Sequence, residues 1–478
     1  MADTIAGAYD PEAFRAAGHR VVDMLAQYLA DQLAGKGGPV LHGKSPDEVD
    51  RLLAGRIGAG PAGDPVDWFG EALRLAHHLH HPGYVGHQVA PPLPLAGLGE
   101  MVSALLNNGM AVYDMGPANV IFEQRVVRRL CQAVGWGAEA DGILTHGGSV
   151  GNLTALLAAR QAMAGYDAWT EGNREPLAIL ASAQNHYCVD RAVRLMGWGR
   201  AGLVEVEVDE RYRLRPEALL PALQRAQATG RRVIAVVASA CTTSTGSFDP
   251  IEPIADFCEE YGLWLHVDGA HGASFLLSDR LRARLAGVER ADSLVWDLHK
   301  MMLMPALVTA VLYRDGRRSY EAFHQEASYL FAGEDPAVQW FNLGQRTLEC
   351  TKRGLGATAY LLLRTYGTAF FAEYMERMCD LAQGFAERIR SSSDFELATE
   401  PQANIVCFRR KIEGSLESQN AFQRQIRQAV VDQGDFYLVQ TTLGGRVYLR
   451  TTLIHPMTDL ARLDHLLYQL LDQPLAQP

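Results

Sequence analysis

Two apolar segments of this 478-residue chain each end in polar side chains that could do chemistry. Segment 263–267 ends at Asp268, and segment 293–296 leads into His299 and Lys300. Polar residues at strand ends are typical of a cofactor crevice, because open α/β sheets bind ligands at the carboxyl ends of their strands. A lysine amine can condense with an aldehyde to form an imine, and a carboxylate can keep a pyridine nitrogen protonated. Lys300 and Asp268 therefore predict a pyridoxal 5′-phosphate site.

A structural explanation competes with this chemical one. Asp268 could cap the following helix, and Lys300 could be a solvated surface charge, which is the usual state of either residue type. The flanking sequence argues against both, since Asp268 follows Val267 and Lys300 precedes the apolar run Met-Met-Leu-Met-Pro at 301–305. These apolar surroundings favour the cofactor interpretation.

Six segments of the chain, in order, resemble motifs of the group II pyridoxal-phosphate decarboxylases, the family of the aromatic amino acid, glutamate and cysteine sulfinate decarboxylases. The segments are 81–84 (HPGY), 145–152 (THGGSVGN), 185–187 (NHY), 242–249 (TTSTGSFD), 266–268 (HVD) and 297–300 (DLHK). The resemblance covers the chain from about His81 to Arg450. It implies a fold-type I α/β enzyme with a mostly parallel central sheet flanked by helices, a helical N-terminal segment and a small α+β C-terminal domain.

The resemblance also implies a role for each matching residue near the cofactor. The turn 147–149 precedes a helix-like run, so its backbone amides would face the phosphate, although such a turn alone is usually only a cap. His186 matches a histidine that stacks on the pyridine ring and helps to orient the substrate. Thr242 and Thr243 match threonines near the cofactor, and a role as turn hydroxyls remains open for both. The expected cofactor-binding residues are Gly148, Ser149, Asn152, His186, Thr243, Asp268, Ala270, His299 and Lys300.

Three further residues match positions that bind the substrate in the family. Arg450 matches the arginine that holds the substrate carboxylate, a task that suits the planar guanidinium because it can pair with both oxygens. A strand arginine could instead form a structural ion pair. Tyr84 and His87 fall in the segment that lines the substrate pocket of relatives, and either could equally be a packing residue.

The chain departs from the family in the catalytic loop. Segment 327–331 resembles the beginning of that loop and segment 347–350 its end. Counted without gaps, the tyrosine that protonates the product carbon in many members falls on Ala337, which cannot donate a proton. Tyr329, His324 and His271 are the nearest candidates for another acid, and the expected catalytic residues are Lys300, His186, Asp268 and Tyr329.

The expected reaction is therefore decarboxylation of an L-amino acid to the corresponding amine through an imine on Lys300. Because Ala337 replaces the acid, the alternative is decarboxylation with oxidative deamination, which gives an aldehyde. Transamination and carbon–carbon lysis are further reactions of fold-type I enzymes. A catalytically silent binding relative is disfavoured, because such a protein is expected to have lost Lys300 or Asp268.

Composition and charge limit the partners. The net charge of −11 and the lack of a dense basic run argue against a nucleic-acid partner. The seven cysteines are widely spaced without metal-type pairs, so we expect reduced thiols in the cytoplasm and no metal. The N-terminus has no basic region followed by a hydrophobic core, and no apolar run is long enough to span a bilayer.

The chain is expected to form three parts. These are a helical N-terminal dimerisation segment at 1–79, a large cofactor-binding domain at 80–366 and a small α+β domain at 367–478. Strands that alternate with helices predict the parallel sheet, and we expect them at 177–181, 203–208, 233–237, 263–267, 294–296 and 307–313. The third part should contain a helix at 370–389, strands near 405–408 and 447–449, and a last helix at 460–471. The resemblance implies that the first part packs against the partner subunit of a homodimer, although an amphipathic helix could also cover its own core.

Overall fold

The computed structural model describes residues 4–53, 63–323 and 339–474. The chain divides into two compact units. One comprises Met1–His87, Arg388–Glu396 and Phe408–Pro478, and the other comprises Gln88–Glu387 and Leu397–Cys407. The division into three parts with boundaries at residues 79 and 366 stays a prediction.

Helices make up a large share of the described residues. The α-helices there are α1 Thr4–Ala8, α2 Pro11–Leu33, α3 Pro46–Leu52, α4 Pro65–Leu75, α5 Pro94–Leu106, α6 Pro117–Val134, α7 Gly148–Met163, α8 Ala168–Glu171, α9 Tyr187–Leu195, α10 Leu219–Ala228, α11 Ile251–Tyr261, α12 Arg318–Glu321, α13 Leu355–Ser391, α14 Leu416–Gln433 and α15 Leu460–Leu471. Short 3₁₀ helices lie at Tyr113–Met115, Arg200–Gly202, Pro216–Ala218, Gly272–Leu277, Arg282–Leu285, Val288–Arg290 and Leu343–Gln345. Helix α13 is broken at Gly367, whose φ of 73° no ordinary helical residue adopts.

A seven-stranded sheet forms the centre of the larger unit, counted over the described residues. Its strands are β1 Asp141–Thr145, β2 Leu177–Ser182, β3 Leu203–Val206, β4 Arg232–Ser239, β5 Trp264–Asp268, β6 Ser293–Asp297 and β7 Thr309–Tyr313, in the order β1-β7-β6-β5-β4-β2-β3. Strands β2 to β6 run parallel, whereas β7 is antiparallel to β6 and β1 is antiparallel to β7. The mostly parallel α/β fold predicted from the sequence is confirmed.

Burial on both faces explains why these strands are continuous apolar runs. All six residues of β2 are buried, and so are all five of β5 and of β6. Helix α7 packs on the sheet through Ala155, Leu156 and Ala159, in one apolar core with Val237 and Val295. Each fully buried valine or leucine side chain contributes about 1.5–3 kcal/mol, so this core fixes the position of the helix start relative to the strand ends.

A second, smaller sheet has the order β10-β11-β9-β8. Its strands are β8 Phe395–Leu397, β9 Ile405–Arg410, β10 Val439–Leu443 and β11 Arg446–Thr452. Strands β10 and β11 are antiparallel and are joined by Gly444 and Gly445, which both have positive φ angles. Two such residues fit the tight hairpin turn that matches the strand twist, which sets the register that places Arg450 on β11.

Helices α5 and α2 each leave several apolar side chains exposed. On α5 these are Leu98, Met101, Val102, Leu105 and Leu106, which are 46–70% exposed, and on α2 they include Phe14, Val22 and Leu25. Within residues 4–53, 63–323 and 339–474, no helix combines the length and apolar character needed to cross a bilayer.

Candidate active site

A cavity of about 230 Å³ lies at the carboxyl ends of β4, β5 and β6, next to the start of α7. All nine residues expected to bind the cofactor line it, namely Gly148, Ser149, Asn152, His186, Thr243, Asp268, Ala270, His299 and Lys300. Residues that are distant in sequence thus meet at one sheet edge, as the strand-end argument predicts.

Lys300 is held by the last residue of β6. Its Nζ atom lies 2.9 Å from Oδ2 of Asp297, and the hydroxyl of Thr309 donates a hydrogen bond to the other carboxylate oxygen. Burial favours the neutral amine of Lys300, but the Asp297 carboxylate outweighs it, so the pKa of Lys300 is raised. Burial likewise opposes ionisation of Asp297, yet Lys300, His299 and the Thr309 hydroxyl together lower the pKa of this carboxyl.

Asp268 ends the neighbouring strand β5 and is 7% exposed. Its carboxylate accepts a hydrogen bond of 3.2 Å from the backbone N–H of Ala270, which holds it at the cavity wall. A buried carboxylate at the cavity wall can pair with a protonated nitrogen of a ligand.

His186 is the N-cap residue of α9. Its Nδ1 atom accepts a hydrogen bond from the backbone N–H of Cys188, which leaves the proton of a neutral ring on Nε2. Burial lowers the pKa of His186, and Lys300 contributes in the same direction, whereas Asp268 opposes the shift. The ring is therefore poised as a neutral, flat surface in the cavity.

The start of α7 has the geometry of an anion site. Gly147, the N-cap residue, has a φ of 94°, and among the described residues it provides no side-chain cap for the first amides of the helix. A Cβ atom on Gly148 would lie 3.0 Å from a carboxylate oxygen of Asp297, so a side chain there would crowd the cavity. Free amides at a helix start, approached closely because glycine has no side chain, suit a phosphate group.

The side chain of Asn152 forms hydrogen bonds within the protein. Its amide nitrogen donates to the carbonyl of Gly148 at 2.8 Å, and its oxygen lies 2.8 Å from Nε2 of His266. His266 is fully buried, its Nδ1 atom contacts the hydroxyl of Ser293 at 2.8 Å, and burial lowers its pKa to about 4. Asn152 therefore ties the helix start to β5 and β6 by this chain of hydrogen bonds.

Of the remaining cavity residues, Thr242 and His299 form hydrogen bonds within the protein. The hydroxyl of Thr242 lies 2.8 Å from that of Thr245 and accepts from the N–H of Ser247, which supports the turn role left open for it. Thr243 lines the cavity. The Nδ1 atom of His299 contacts the backbone of Val308, which fixes the orientation of its ring.

The three expected substrate-binding residues lie in the smaller unit. Tyr84 is 1% exposed and stacks on Tyr437 at 6.0 Å, and Nε2 of His87 lies 2.9 Å from the Tyr437 hydroxyl. Arg450 is 5% exposed. Burial lowers the pKa of His87, and the Arg450 charge adds to that shift. Burial also raises the pKa of Tyr84, which Arg450 partly offsets.

Of the candidate proton donors, Tyr329 and His324 lie outside the described residues, as does Ala337. His271 lines the cavity, and its Nε2 atom lies 2.7 Å from the side-chain oxygen of Asn404. Among the described residues, no group of three or more His, Cys, Asp or Glu is placed to hold a metal ion.

Sequence reasoning missed Asp297 and Thr309 as partners of Lys300, and Tyr437 as the partner of His87. The rule that selected Asp268, a polar residue ending a buried strand, applies equally to Asp297 and would have found it. Tyr437 is 350 positions from His87 and carries no comparable signal.

Residues 79–411 match the pyridoxal-dependent decarboxylase conserved domain, and the chain belongs to this family. Over 445 residues it is 30% identical to the cysteine sulfinic acid decarboxylase of Mus musculus, covering 89% of each chain. It is 28% identical to the L-2,4-diaminobutyrate decarboxylase of Acinetobacter baumannii, covering 84% of this chain and 81% of the relative.

Solved structures of relatives have the same fold. The crystal structure of mouse CSAD covers 96% of this chain and 98% of its own with a TM-score of 0.89 at 26% identity. The protein is thus a pyridoxal-phosphate-dependent amino acid decarboxylase by family. Its cavity fits that cofactor, because a lysine, a buried carboxylate and an uncapped helix start built on glycines line one space.

Proposed function

We propose that the protein converts an L-amino acid to its amine and carbon dioxide, with pyridoxal phosphate held by Lys300. The observation that carries the proposal is the cavity itself. It brings together Lys300, Asp268 and the glycine-rich start of α7, which are three groups with three different tasks.

Each task follows from the chemistry of the group. Lys300 would hold the cofactor aldehyde through its amine, and the amides around Gly148 and Ser149 would hold the phosphate. Asp268 would keep the proton on the pyridine nitrogen. When bound, the cofactor supplies an electron sink for the electron pair that the departing carboxylate leaves behind.

His186 and Asp297 would support these groups. The neutral ring of His186, fixed at Nδ1 by the N–H of Cys188, would cover the cofactor face and exclude water. Asp297 would hold the Lys300 amine in place and stabilise its protonated form, so that Lys300 can later move a proton at Nζ.

Substrate recognition is proposed for Arg450, Tyr84 and His87. Arg450 would pair with a substrate carboxylate through its planar guanidinium. The printed names of the relatives refer to cysteine sulfinic acid and L-2,4-diaminobutyrate. We therefore place compact polar amino acids first in the substrate search.

A second outcome has a specific basis in the sequence. Ala337 occupies the expected position of the family's proton donor, so a different acid, for which we propose Tyr329, must protonate the product carbon. If no acid reaches that carbon, oxygen can intervene, and the products are an aldehyde, carbon dioxide, ammonia and hydrogen peroxide.

We also propose a cytoplasmic homodimer. The exposed apolar residues of α5, among them Leu105 at 70% and Leu106 at 61%, recur at helical spacing along one helix, as expected for a surface that contacts a partner, and α2 adds Phe14. The seven cysteines all lie within the described residues and form no disulfide there, which fits a reducing compartment. Replacing Leu105 and Leu106 by Asp should give monomers on size measurement, whereas Leu416→Asp, at a 48% exposed leucine of α14, should not.

The decisive experiment incubates cofactor-loaded protein in air with a pool of L-amino acids and identifies the products by mass spectrometry. An amine lighter by one carbon dioxide supports the proposal, an aldehyde with peroxide supports the second outcome, and neither product overturns both. Lys300→Ala should abolish the visible absorbance of bound cofactor, with Lys411→Ala, at an exposed lysine, as the matched control. Ala337→Tyr should raise the ratio of amine to aldehyde.

A further inference from the structure

His146 occupies a position between two features of the larger unit. It directly precedes Gly147 at the start of α7, and it lines the cavity that holds Lys300. It also lines a neighbouring cavity of about 250 Å³, which includes Glu100 and Arg353. His146 is two residues before Gly148, whose amide is one of the proposed phosphate contacts.

The ring of His146 has a carboxylate partner of its own. Its Nδ1 atom lies 3.1 Å from Oε1 of Glu349. The other histidines of the cavity are engaged differently. His186 accepts a hydrogen bond from a backbone N–H. The Nε2 atom of His299 lies 3.7 Å from Oδ2 of Asp297, a carboxylate that also pairs with Lys300.

The segment around Glu349 is held by a hydrogen bond and a buried ion pair. The backbone carbonyl of Glu349 accepts a hydrogen bond from the hydroxyl of Thr347. Three residues further on, Lys352 forms a buried ion pair with Glu123 and donates to the carbonyl of Leu144, two residues before His146. The segment that carries Glu349 is thus fastened to the same strand, β1, that leads into His146.

We propose that His146, oriented by Glu349, is an additional contact to the cofactor phosphate. An imidazolium between the Glu349 carboxylate and a phosphate donates one hydrogen bond to each, and the two anions together stabilise its charge. Glu349 is a positioning residue in this arrangement. The inference rests on the proposed function, because it requires pyridoxal phosphate in the cavity.

The test compares two ligands that differ only in the phosphate. Cofactor-free wild type and variants are titrated with pyridoxal 5′-phosphate and with pyridoxal, and binding is followed by absorbance and by intrinsic fluorescence. His146→Gln should weaken pyridoxal phosphate binding about 10- to 100-fold, the range for a hydrogen bond to a charged group, and leave pyridoxal binding unchanged. Glu349→Gln should also weaken pyridoxal phosphate binding, to a smaller extent than His146→Gln.

Glu100→Gln is the matched control. Glu100 contacts Arg353 and Thr358 in the neighbouring cavity, so its loss disturbs the same segment without removing the partner of His146. It should leave the affinity ratio of the two ligands unchanged. If His146→Gln fails to fold, Glu349→Gln tests the same arrangement, with a smaller loss of pyridoxal phosphate affinity and an unchanged pyridoxal affinity.

Each outcome decides the matter. If His146→Gln weakens the binding of both ligands equally, or of neither, the role of His146 is overturned and the proposed function stays intact. A wild type that binds neither ligand overturns the proposed function together with this inference.

Discussion

The Nζ atom of Lys300 lies 2.9 Å from Oδ2 of Asp297, a carboxylate that is only 2% exposed. This ion pair holds Lys300 in its charged form, because the neighbouring carboxylate outweighs the effect of burial and raises the pKa of the amine. An amine must be neutral to attack an aldehyde. The pair therefore controls the pH at which the cofactor-free protein can capture its cofactor.

Asp297→Asn should move the pH midpoint of cofactor capture to lower pH. With the raised pKa in the wild type, the neutral amine is scarce until high pH, and the capture rate rises with pH up to that pKa. Without the Asp297 charge, burial is the main remaining influence and the pKa of Lys300 falls. The measurement is the rate at which the absorbance of bound cofactor develops, from pH 6 to the alkaline limit of stability.

Thr309→Val is the comparison for that variant. Thr309 donates to Asp297, but Lys300 and His299 contribute more to the lowered pKa of this carboxyl, so Asp297 stays ionised above pH 6 and the midpoint should stay close to the wild-type value. An unchanged midpoint in Asp297→Asn would mean that the ion pair does not govern the amine.

Gly148→Ala should weaken cofactor binding more than it destabilises the fold. The added Cβ atom would lie 3.0 Å from Oδ2 of Asp297, so the carboxylate that holds Lys300 must shift, and we expect a loss of about 10-fold in affinity. The same overpacking costs about 1–3 kcal/mol of folding stability, which the higher helix propensity of alanine, about 1 kcal/mol over glycine, partly offsets. Affinity comes from cofactor titration and stability from thermal unfolding.

Gly137→Ala is the matched control for this substitution, since nothing lies within 4 Å of a Cβ atom built there. It should leave the cofactor affinity at the wild-type value. Equal loss of affinity in both variants would show that the effect is not local to the helix start.

Much of the architecture follows from the sequence because buried parallel strands are continuous apolar runs. The runs at 177–181 and 233–237 lie within β2 and β4, and the predicted last helix coincides with α15. Strand β1 was missed, since Asp141 and Gly142 leave only a short apolar stretch before Thr145. The antiparallel direction of β7 was also not predicted, because hydrophobic periodicity carries no information on strand direction.

The candidate site shows the same division. Asp268 and Lys300 could be selected from the sequence because each follows a buried strand, and the fold brings both to one cavity. The hydrogen bond between Asn152 and His266 joins residues 114 positions apart, so it depends on how α7 packs over the sheet. Sequence patterns report local burial and periodicity, whereas such pairs arise only from tertiary packing.

The buried pair of Lys352 and Glu123 should be a stability hot spot. Both side chains are at most 2% exposed, and Glu123 also accepts from the backbone N–H of Leu144. Lys352→Met leaves an uncompensated buried carboxylate and should cost about 3–5 kcal/mol in urea unfolding. Adding Glu123→Gln to it should restore most of that loss, because the buried charge is then removed as well.

Glu12→Gln provides the comparison at the surface. Its ion pair with Arg15 is exposed, with 69% and 61% of the two side chains accessible, and pairs of this kind contribute little. Glu12→Gln should therefore leave the urea unfolding curve unchanged. If the double variant were no more stable than Lys352→Met, the uncompensated charge would not be the cause of the loss.

Tyr437→Phe should impair substrate binding more than catalysis. The hydroxyl of Tyr437 lies 2.9 Å from Nε2 of His87, so the variant releases the imidazole that we propose as a substrate contact. Loss of one neutral hydrogen bond predicts a rise in KM of about 2- to 10-fold with little change in kcat. Tyr84→Phe is the paired variant, because its hydroxyl donates to the backbone carbonyl of His87 and leaves the imidazole bond in place. A KM that rises equally in both variants would assign the effect to the stacked aromatic pair, and a fall in kcat alone would exclude His87 from substrate recognition.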